Sequence, residues 1–186
     1  IPLKKEIDNS YLRLKNLVEN KLDDVTQRIK YKLASEINLI HKMTDYHIKS
    51  GGKRIRPLLT LASAKLCGYK NGNRDVNLAA CIELIHNATL LHDDVIDNSD
   101  LRRGTKTANS VWGNQSSILV GDYLFSRCFE MMVEDGSQEI LKLLSSTSSK
   151  IAQGEVLQLE HKGEIDLLEE TYFNIINMKT AALFAA

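Results

Sequence analysis

The sequence predicts an all-α protein, and three observations carry this prediction. Apolar residues recur at intervals of three and four along most of the chain, which is the spacing of one face of a helix. Prolines stand only at positions 2 and 57, so long helices can run without interruption. No segment sustains the alternation of apolar and polar residues that is typical of a strand.

The individual helices follow from this spacing and from local end signals. Ser35 suits the N-cap of the second helix, and Pro57 suits the first turn of the third. Ser50-Gly51-Gly52 is predicted to end the second helix, because glycine is favoured just after a helix C-terminus. The predicted helices run, in order, from Leu3 to about Lys32, Ser35 to Lys49, Pro57 to Gly68, Asn77 to about Asp97, Gln115 to Glu134, Gln138 to Glu160 and Leu168 to Ala186.

The bulk composition restricts the partners and the location of the protein. The chain has 186 residues, enough for one helical domain over residues 1–186. Its formal net charge is zero, so we expect no nucleic-acid partner. No apolar run approaches the ~20 residues of a membrane span. Three widely spaced cysteines indicate neither a disulfide framework nor a zinc site, so we expect a reducing, cytoplasmic location.

Three carboxylates stand close together near the predicted end of the fourth helix. Asp93 and Asp97 are one turn apart and share a face, with Asp94 beside them. The C-terminal end of a helix is negative, so each acid there costs about 0.3–1 kcal/mol. Mg²⁺ would compensate, because it takes one or two protein carboxylates and completes its shell with water and phosphate. A solvated acidic helix end, paired with arginine or lysine, is the alternative that the spacing leaves open.

Cations gather in two short segments on either side of that helix. The segment from Gly51 to Pro57 places three cations before a helix N-terminus, where free N–H groups already favour an anion. Arg102-Arg103-Gly104 follows the carboxylates in a polar loop predicted from Asn98 to about Asn109. His86 lies almost two turns before Asp93 and therefore faces the same side. A solvated basic turn, a surface arginine pair and a satisfied core histidine remain open alternatives.

Taken together, the charged segments indicate a diphosphate substrate with an apolar tail. Carboxylates for Mg²⁺ and several separate cations suit a highly charged phosphate group. The helix that leads to the carboxylates is apolar nearly all round, which predicts that it is buried and suits an apolar ligand tail. Both halves describe a prenyl diphosphate.

The motifs that carry these residues resemble those of the trans-isoprenyl diphosphate synthase family. Residues 52–57 are similar to its GKxxRP motif, and residues 92–104 to its first aspartate-rich motif, DDxxD followed by RRG. Residues 154–159 and the pair Lys179-Thr180 resemble two later motifs, in the family's order. The resemblance spans nearly the whole chain and implies an isoprenoid-synthase-type helical bundle.

The resemblance also implies a role for each matching residue. Asp93, Asp94 and Asp97 would bind Mg²⁺ that bridges the allylic diphosphate, and Lys179 completes the implied catalytic set. The residues implied to bind isopentenyl diphosphate are Lys53, Arg56, His86 and Arg103, and those implied to hold the allylic diphosphate are Arg102, Gln158, Lys179 and Thr180. In the implied reaction the allylic diphosphate ionises, the isopentenyl double bond attacks the carbocation, and a proton is lost to the leaving diphosphate.

Two small side chains bear on the length of the product. Ala88 and Thr89 stand one helical turn (~5.4 Å) below the predicted metal site. Bulky aromatics at these positions block the growing chain in the family, so the resemblance implies a long polyprenyl product. Octaprenyl and decaprenyl diphosphates, the precursors of quinone side chains, are such products. A shorter geranylgeranyl or farnesyl product, and a plain packing role for both residues, stay open.

The family's second aspartate-rich motif, which lies well beyond the Lys-Thr pair, has no counterpart in the sequence. We therefore expect a C-terminally truncated bundle that lacks the helices carrying this motif and has little or no activity alone. Apolar side chains meant for those helices would be exposed, namely Phe173, Ile176, Leu183 and Phe184. We expect a homodimer of a long-chain synthase. The alternatives are a catalytically inactive half-enzyme and a non-catalytic helical partner subunit.

Overall fold

The computed structural model describes the backbone of residues 2–49 and 51–186, and the side chains from Asn9 onward within those ranges. The described chain consists of helices joined by short connections and one small hairpin. It divides into two compact units, Ile1–Asp135 and Gly136–Ala186, and the single-domain prediction stays a prediction. The helices are α1 (Pro2–Lys32), α2 (Asn38–Lys49), α3 (Ile55–Leu66), α4 (Arg74–Ile96), α5 (Ala108–Trp112), α6 (Asn114–Asp135), α7 (Gln138–Glu160), α8 (Glu169–Ile176) and α9 (Ala182–Ala185).

The fourth helix, α4, is the central helix of the first unit. The helices α1, α3 and α6 all pack against it, α6 most extensively. Ala79, Ala80, Ile85 and Ala88 are consequently 0% exposed. Burying each leucine-sized side chain contributes about 1.5–3 kcal/mol, which explains why the helix that is apolar nearly all round lies in the interior. The carboxylates at its C-terminal end are therefore carried by the most firmly packed helix of the unit.

A two-stranded hairpin follows α4 inside the predicted polar loop. Its strands, β1 (Leu101–Arg102) and β2 (Thr105–Lys106), pair antiparallel. Arg103 and Gly104 connect them with φ of 54° and 79°, the geometry of a type I′ turn. Glycine adopts such a φ at no steric cost, whereas arginine does so only under strain. Strands of two residues are too short to show alternation, so the sequence predicts only a loop here.

The seventh helix, α7, is the main helix of the second unit, and the segments after it fold back onto it. Ser137 caps α7, because its hydroxyl accepts a hydrogen bond from a backbone N–H of the first turn at 3.3 Å. A π-helical segment, Asn177–Ala181, interrupts the helix predicted from Leu168 to Ala186. Such segments are frequent at functional sites, and this one contains Lys179 and Thr180.

The predicted helix ends are wrong at several places. The second helix begins at Asn38, because the Ser35 hydroxyl accepts a hydrogen bond from the backbone N–H of Ile37 at 3.1 Å and forms a turn instead of a cap. The helices α3 and α4 begin two and three residues earlier than predicted. The short helix α5 was not predicted at all. Ser50, part of the predicted end of α2, lies outside the described residues.

One of the four apolar side chains expected to be exposed is buried instead. Leu183 is 4% exposed, because α9 packs against α7. The other three are exposed as expected, namely Phe173, Ile176 and Phe184. No helix within residues 2–49 and 51–186 combines the length and the apolar composition needed to cross a membrane.

Candidate active site

The three carboxylates at the end of α4 point to two different sides. Asp93 and Asp97 are one turn apart, and Asp97 is the C-cap residue of the helix. Asp94 is turned inward and is 2% exposed. Both oxygens of its carboxylate accept hydrogen bonds from the guanidinium group of Arg102, at 2.7–3.2 Å. The carboxylate spacing left open that these acids pair with arginine or lysine, and for Asp94 the structure shows such a pair with Arg102.

The hairpin that carries Arg102 is fastened to α4 by side chains at the start of α5. Asn109 donates through Nδ2 to the carbonyl oxygens of Asp94 and Ser99, both at 3.3 Å. The hydroxyl of Thr107 donates to the Ser99 carbonyl at 2.6 Å. These bonds tie the connection after α4 back to the helix itself. The guanidinium of Arg102 is thus fixed in two ways: by its ion pair with Asp94 and by the hydrogen bonds that hold the hairpin backbone against α4.

The tip of the hairpin reaches the glycine-rich segment before α3. A Cβ built on Gly52 would lie 2.5 Å from Nη1 of Arg103, so the guanidinium occupies the space of a side chain at position 52. Arg54, the N-cap residue of α3, has a φ of 48°. Non-glycine residues with positive φ are uncommon and concentrate at functional sites. The two cationic motifs therefore meet in the first unit, although they are far apart in the sequence.

Two histidines are held neutral among these cations. Burial, followed by the nearby Arg56 and Arg103, lowers the pKa of His86 to about 3. Burial also lowers the pKa of His47 to about 4, although the charge of Asp94 acts in the opposite direction. Both imidazoles are therefore uncharged at neutral pH and add no further positive charge. His86, Arg56 and Arg103, three residues implied to bind isopentenyl diphosphate, are neighbours.

The fourth member of that set, Lys53, is held by the first helix. Its Nζ lies over the ring of Tyr11, 5.9 Å from the centroid, and the Tyr11 hydroxyl donates to the Lys53 carbonyl at 2.9 Å. A cation over an aromatic face is attracted by the ring's quadrupole. Lys53 is nevertheless exposed, so its ammonium can reach a ligand from this position.

The sequence motifs do not point to Glu83, Asn87 or His47, but all three lie among the candidate residues. Burial raises the pKa of the Glu83 carboxyl, against the opposing charges of Arg54 and Arg56. Asn87 stands one turn later on α4 and donates through Nδ2 to the Glu83 carbonyl at 2.6 Å. A charged residue inside an apolar helix was the available signal for Glu83. Nothing local in the sequence singles out Asn87 or His47.

The sixth helix positions the residue directly before the carboxylates. Nε2 of His92 lies 3.2 Å from the carbonyl oxygen of Ile118 and 3.4 Å from Oδ1 of Asp122. The His92 ring stacks with Phe125 at a centroid distance of 6.5 Å. Gly121 makes room for this ring, because a Cβ there would lie 2.5 Å from Cδ2 of His92. The start of the aspartate-rich motif is thereby fixed against α6.

In the second unit, a glycine lets the π-helical segment approach α7 closely. A Cβ at Gly154 would lie 2.9 Å from the backbone nitrogen of Lys179. Nζ of Lys179 donates to Oε2 of Glu155 at 2.7 Å, and both side chains are mostly buried (22% and 19% exposed). Gln158, one turn after Gly154, is exposed, as is Thr180. The two later motifs therefore meet through Glu155 and Lys179.

The two residues predicted to govern product length differ in burial. Ala88 is 0% exposed and belongs to the packed core around α4. Thr89 is half-buried, and its hydroxyl donates to the carbonyl oxygen of His86 at 2.8 Å. Thr89 is therefore the more accessible of the two residues below Asp93. Their role in chain length stays a prediction.

The donor set at the end of α4 suits a hard cation through two of its three acids. Asp93 and Asp97 supply carboxylate oxygens, whereas those of Asp94 are engaged by Arg102. Mg²⁺ typically binds one or two protein carboxylates together with water and substrate phosphate. No group of three or more His, Cys, Asp or Glu in the described part of the chain could hold a metal ion by itself. The pair thus fits a cation shared with a phosphate ligand, and ligation by all three acids stays a prediction.

Comparison with known proteins agrees with the motifs and with the fold. The sequence profile of the polyprenyl synthetase family matches residues 37–186, and the chain belongs to this family. It is similar to the octaprenyl diphosphate synthase of Escherichia coli K12, with 45% identity over 174 residues that cover 94% of this chain and 54% of that protein. The family resemblance and the all-α fold class are thereby confirmed.

Two solved structures have the same fold. A decaprenyl diphosphate synthase from Rhodobacter capsulatus matches with a TM-score of 0.89 at 45% identity, over 94% of this chain and 54% of that one. A polyprenyl synthase from Caulobacter crescentus CB15, complexed with calcium and isoprenyl diphosphate, matches with a TM-score of 0.91 at 45% identity, over 94% of this chain and 53% of that one. The chain spans about half the length of the relatives it matches.

Proposed function

We propose that the chain contributes to a polyprenyl diphosphate synthase, which joins isopentenyl diphosphate to an allylic diphosphate. The observation that carries this proposal is the gathering of cations around α4: Arg102 is paired with Asp94, and Arg103 lies against Gly52. The charges of Arg56, Arg102 and Arg103 all lower the pKa of His86, which stands two turns before the first aspartate of the motif. Several cations beside paired carboxylates suit two diphosphate groups and a metal ion. The Caulobacter relative, which was solved with calcium and isoprenyl diphosphate, supports the proposal.

The binding roles in the first unit follow from the chemistry of each group. Arg56, Arg103 and neutral His86 would bind the diphosphate of isopentenyl diphosphate, with Lys53 as a further point charge. Arg102 would hold the allylic diphosphate, in an orientation set by Asp94. A guanidinium offers a planar fork of donors that matches phosphate oxygens in pairs, whereas an ammonium acts as a compact charge.

The second unit is proposed to contribute Lys179, Thr180 and Gln158 to the binding of the allylic diphosphate. The ion pair of Lys179 with Glu155 supports this, because it orients the ammonium before any ligand is present. The exposure of Thr180 and Gln158 leaves their polar groups accessible. Lys179 would then act as the one catalytic cation of this unit, stabilising negative charge as it develops.

Asp93 and Asp97 would hold the metal ion, and Mg²⁺ bound there would supply further charge stabilisation to the departing diphosphate. The chain's own part is electrostatic: Arg102 is held in place before the allylic C–O bond breaks and meets the developing charge without reorganisation. The departing diphosphate can accept the final proton, so the proposal requires no side-chain base. The buried Asp94 contributes by keeping Arg102 oriented.

We further propose a long polyprenyl product, such as octaprenyl or decaprenyl diphosphate for a quinone side chain. The small side chains of Ala88 and Thr89 support a long product, as do the names of the relatives in Escherichia coli and Rhodobacter capsulatus. A geranylgeranyl or farnesyl product is the alternative. Thin-layer chromatography of the dephosphorylated products distinguishes these lengths directly.

A cytoplasmic homodimer is proposed as well. Large apolar side chains remain exposed along α6, and covering such a face would stabilise a dimer; they are Ile118, Leu119, Phe129 and Val133. Light scattering of the purified protein measures the oligomer. The cytoplasmic location is supported by three cysteines that are all free.

The test of the function uses the complete gene product with radiolabelled isopentenyl diphosphate, an allylic primer and Mg²⁺. Asp93→Ala should lower turnover on the order of a hundredfold or more, because the metal loses a ligand, while the helical circular dichroism stays intact. Asp23→Ala, which removes the same group from an exposed position of α1, is the matched control and should retain turnover. Undiminished turnover in Asp93→Ala would refute the proposal.

The half-enzyme alternative is tested with the 186-residue chain by itself. We expect it to bind isopentenyl diphosphate weakly and to give little or no product, since the family's second aspartate-rich motif is absent from it. Long polyprenyl products from this chain alone would contradict that expectation. A complete gene product that binds both diphosphates but never turns over would instead favour a partner subunit.

A further inference from the structure

The first helix, α1, contacts the glycine-rich segment, residues 51–57, at two consecutive positions. The Tyr11 hydroxyl donates to the carbonyl oxygen of Lys53 at 2.9 Å, and the Lys53 ammonium lies over the Tyr11 ring. Nη1 of Arg54 donates to the hydroxyl oxygen of Thr26. Both α1 residues precede residue 37, where the match to the family profile begins, so neither belongs to the motifs that indicate the family.

The hydroxyl of Thr26 can only accept the bond from Arg54. Its single proton is used within α1, where it is donated to the Leu22 carbonyl at 3.0 Å. The guanidinium group has only donors and stays charged at every accessible pH, so the contact does not depend on a protonation state. Thr26 follows Val25, which is 0% exposed, and the acceptor is therefore carried by a firmly packed turn of α1.

The helix α1 bends between its two contacts with the segment. Val18 has a φ of −134° and a ψ of 16°, far from helical values. The carbonyl oxygen of Leu17 accepts a hydrogen bond from Nζ of Lys65 on α3 at 2.9 Å, and a side chain that enters the backbone ladder is one cause of such bends. In a straight helix, Tyr11 and Thr26 would be about 22 Å apart. A bend shortens this span, which favours contact of both with one short segment.

The bond to Thr26 supports a backbone conformation that few residues adopt. Arg54 has a φ of 48°, and a non-glycine residue keeps such a conformation only where its surroundings hold it. Arg54 stands between Lys53 and Arg56, two residues that are proposed to bind isopentenyl diphosphate. The backbone at position 54 therefore sets how these two cations are presented relative to each other.

We propose that Tyr11 and Thr26 are positioning residues, which hold the glycine-rich segment in the conformation that presents Lys53 and Arg56 to isopentenyl diphosphate. The inference rests on the proposed function, because it assumes that these two cations bind that substrate. The allylic diphosphate is assigned to Arg102, which is held by Asp94 instead. Loss of an α1 contact should therefore weaken the binding of isopentenyl diphosphate and spare the allylic substrate.

The experiment measures kcat and the KM of each substrate in the complete gene product. Thr26→Val keeps the shape of the side chain but loses the acceptor for Arg54, and Tyr11→Phe keeps the ring but loses the donor to Lys53. Each variant should raise the KM for isopentenyl diphosphate by roughly three- to tenfold, the worth of one hydrogen bond, with kcat and the allylic KM within about twofold of the wild type.

Two matched variants are the controls. Thr26→Ser keeps the hydroxyl and should restore the KM for isopentenyl diphosphate. Tyr31→Phe removes the same hydroxyl from another tyrosine of α1, which also has a cation over its ring, Arg28 at 5.7 Å, but is 71% exposed. It should leave both KM values unchanged, because Tyr31 has no contact with the glycine-rich segment among the described hydrogen bonds and ring contacts.

Thermal unfolding shows whether each variant is folded, and if Thr26→Val or Tyr11→Phe fails to fold, the other decides. An unchanged KM for isopentenyl diphosphate in a folded variant, an equal rise of both KM values, or the same rise in Tyr31→Phe would overturn the inference. A wild-type protein that makes no product would refute the proposed function, and this inference with it. An active wild type whose variants keep both KM values would refute the inference alone.

Discussion

The effect of Gly121→Ala on the free energy of unfolding should depend on the His92 side chain. The substitution should destabilise the protein when His92 is present and stabilise it when His92 is replaced by alanine. Gly121 lies in the interior of α6, and its missing Cβ is what admits the imidazole of His92. The alanine Cβ would lie 2.5 Å from Cδ2 of His92, far inside van der Waals contact. The ring would have to give up its approach to the Ile118 carbonyl and to Asp122.

Two opposing contributions decide the magnitude. Alanine in place of glycine inside a helix stabilises by about 0.5–1 kcal/mol, because the unfolded chain loses less freedom. Forcing an additional methyl group against a packed side chain costs typically about 1–3 kcal/mol. With His92 present, Gly121→Ala should therefore destabilise the protein by roughly 0.5–2 kcal/mol. With His92→Ala in the background, the clash is gone, and the same substitution should stabilise by about 0.5–1 kcal/mol.

The assay is a double-mutant cycle of urea unfolding, followed by circular dichroism at neutral pH. The four proteins are the wild type, the two single variants and the double variant. We expect a coupling free energy of about 1–3 kcal/mol between positions 92 and 121. A stabilising effect of Gly121→Ala in the wild-type background, or the same effect in both backgrounds, would refute the steric argument.

Three further predictions concern charge and packing. The pKa of His47 is about 4 in the folded protein, against 6.5 for an unperturbed histidine in the unfolded chain. The stability linked to its neutral form is therefore complete above pH 6.5, and about 2 kcal/mol of the free energy of unfolding is lost as the pH falls to 5. His47→Gln should remove this part of the pH dependence of unfolding. Asp94→Asn should lower the free energy of unfolding by about 1–3 kcal/mol, because the carboxylate holds Arg102. The Mg²⁺ half-saturation of turnover in this variant tests the prediction that all three acids bind the metal: a shifted value supports Asp94 as a ligand, and an unchanged value restricts Asp94 to Arg102. Gly154→Ala should lower the free energy of unfolding by about 1–2 kcal/mol, because the alanine Cβ would press on the backbone of Lys179. An unchanged midpoint of urea unfolding would exclude that close contact.

The helices were predictable because their signals are local. The apolar spacing of α1, α4, α6 and α7 places each helix within a few residues of its observed ends. The misplaced features depend on single hydrogen bonds or on very short elements. Ser35 bonds to Ile37 rather than capping α2, and the hairpin around Arg103 is too short to leave a periodic pattern.

The candidate site was predictable as a set of motifs but not as an arrangement. The carboxylates, the arginine pair and His86 stand out because charged groups are costly at a helix end or inside an apolar helix. Neither Asn87 nor His47 stands out, because an amide and a histidine are ordinary residues on any helix. Only the packing of the helices buries His47 and brings it close enough to Asp94 for that carboxylate to influence its pKa.

The sequence by itself determined the helical class of this protein and the residues available for diphosphate and metal chemistry, because periodicity and charge act over one or two turns of chain. Only the tertiary structure decided how those residues are used. It turned Asp94 away from Asp93 and Asp97 toward Arg102, and it brought Arg103 against Gly52. These pairings depend on which helices pack together and on the space between them, and that information is spread over the whole core rather than carried by any local pattern.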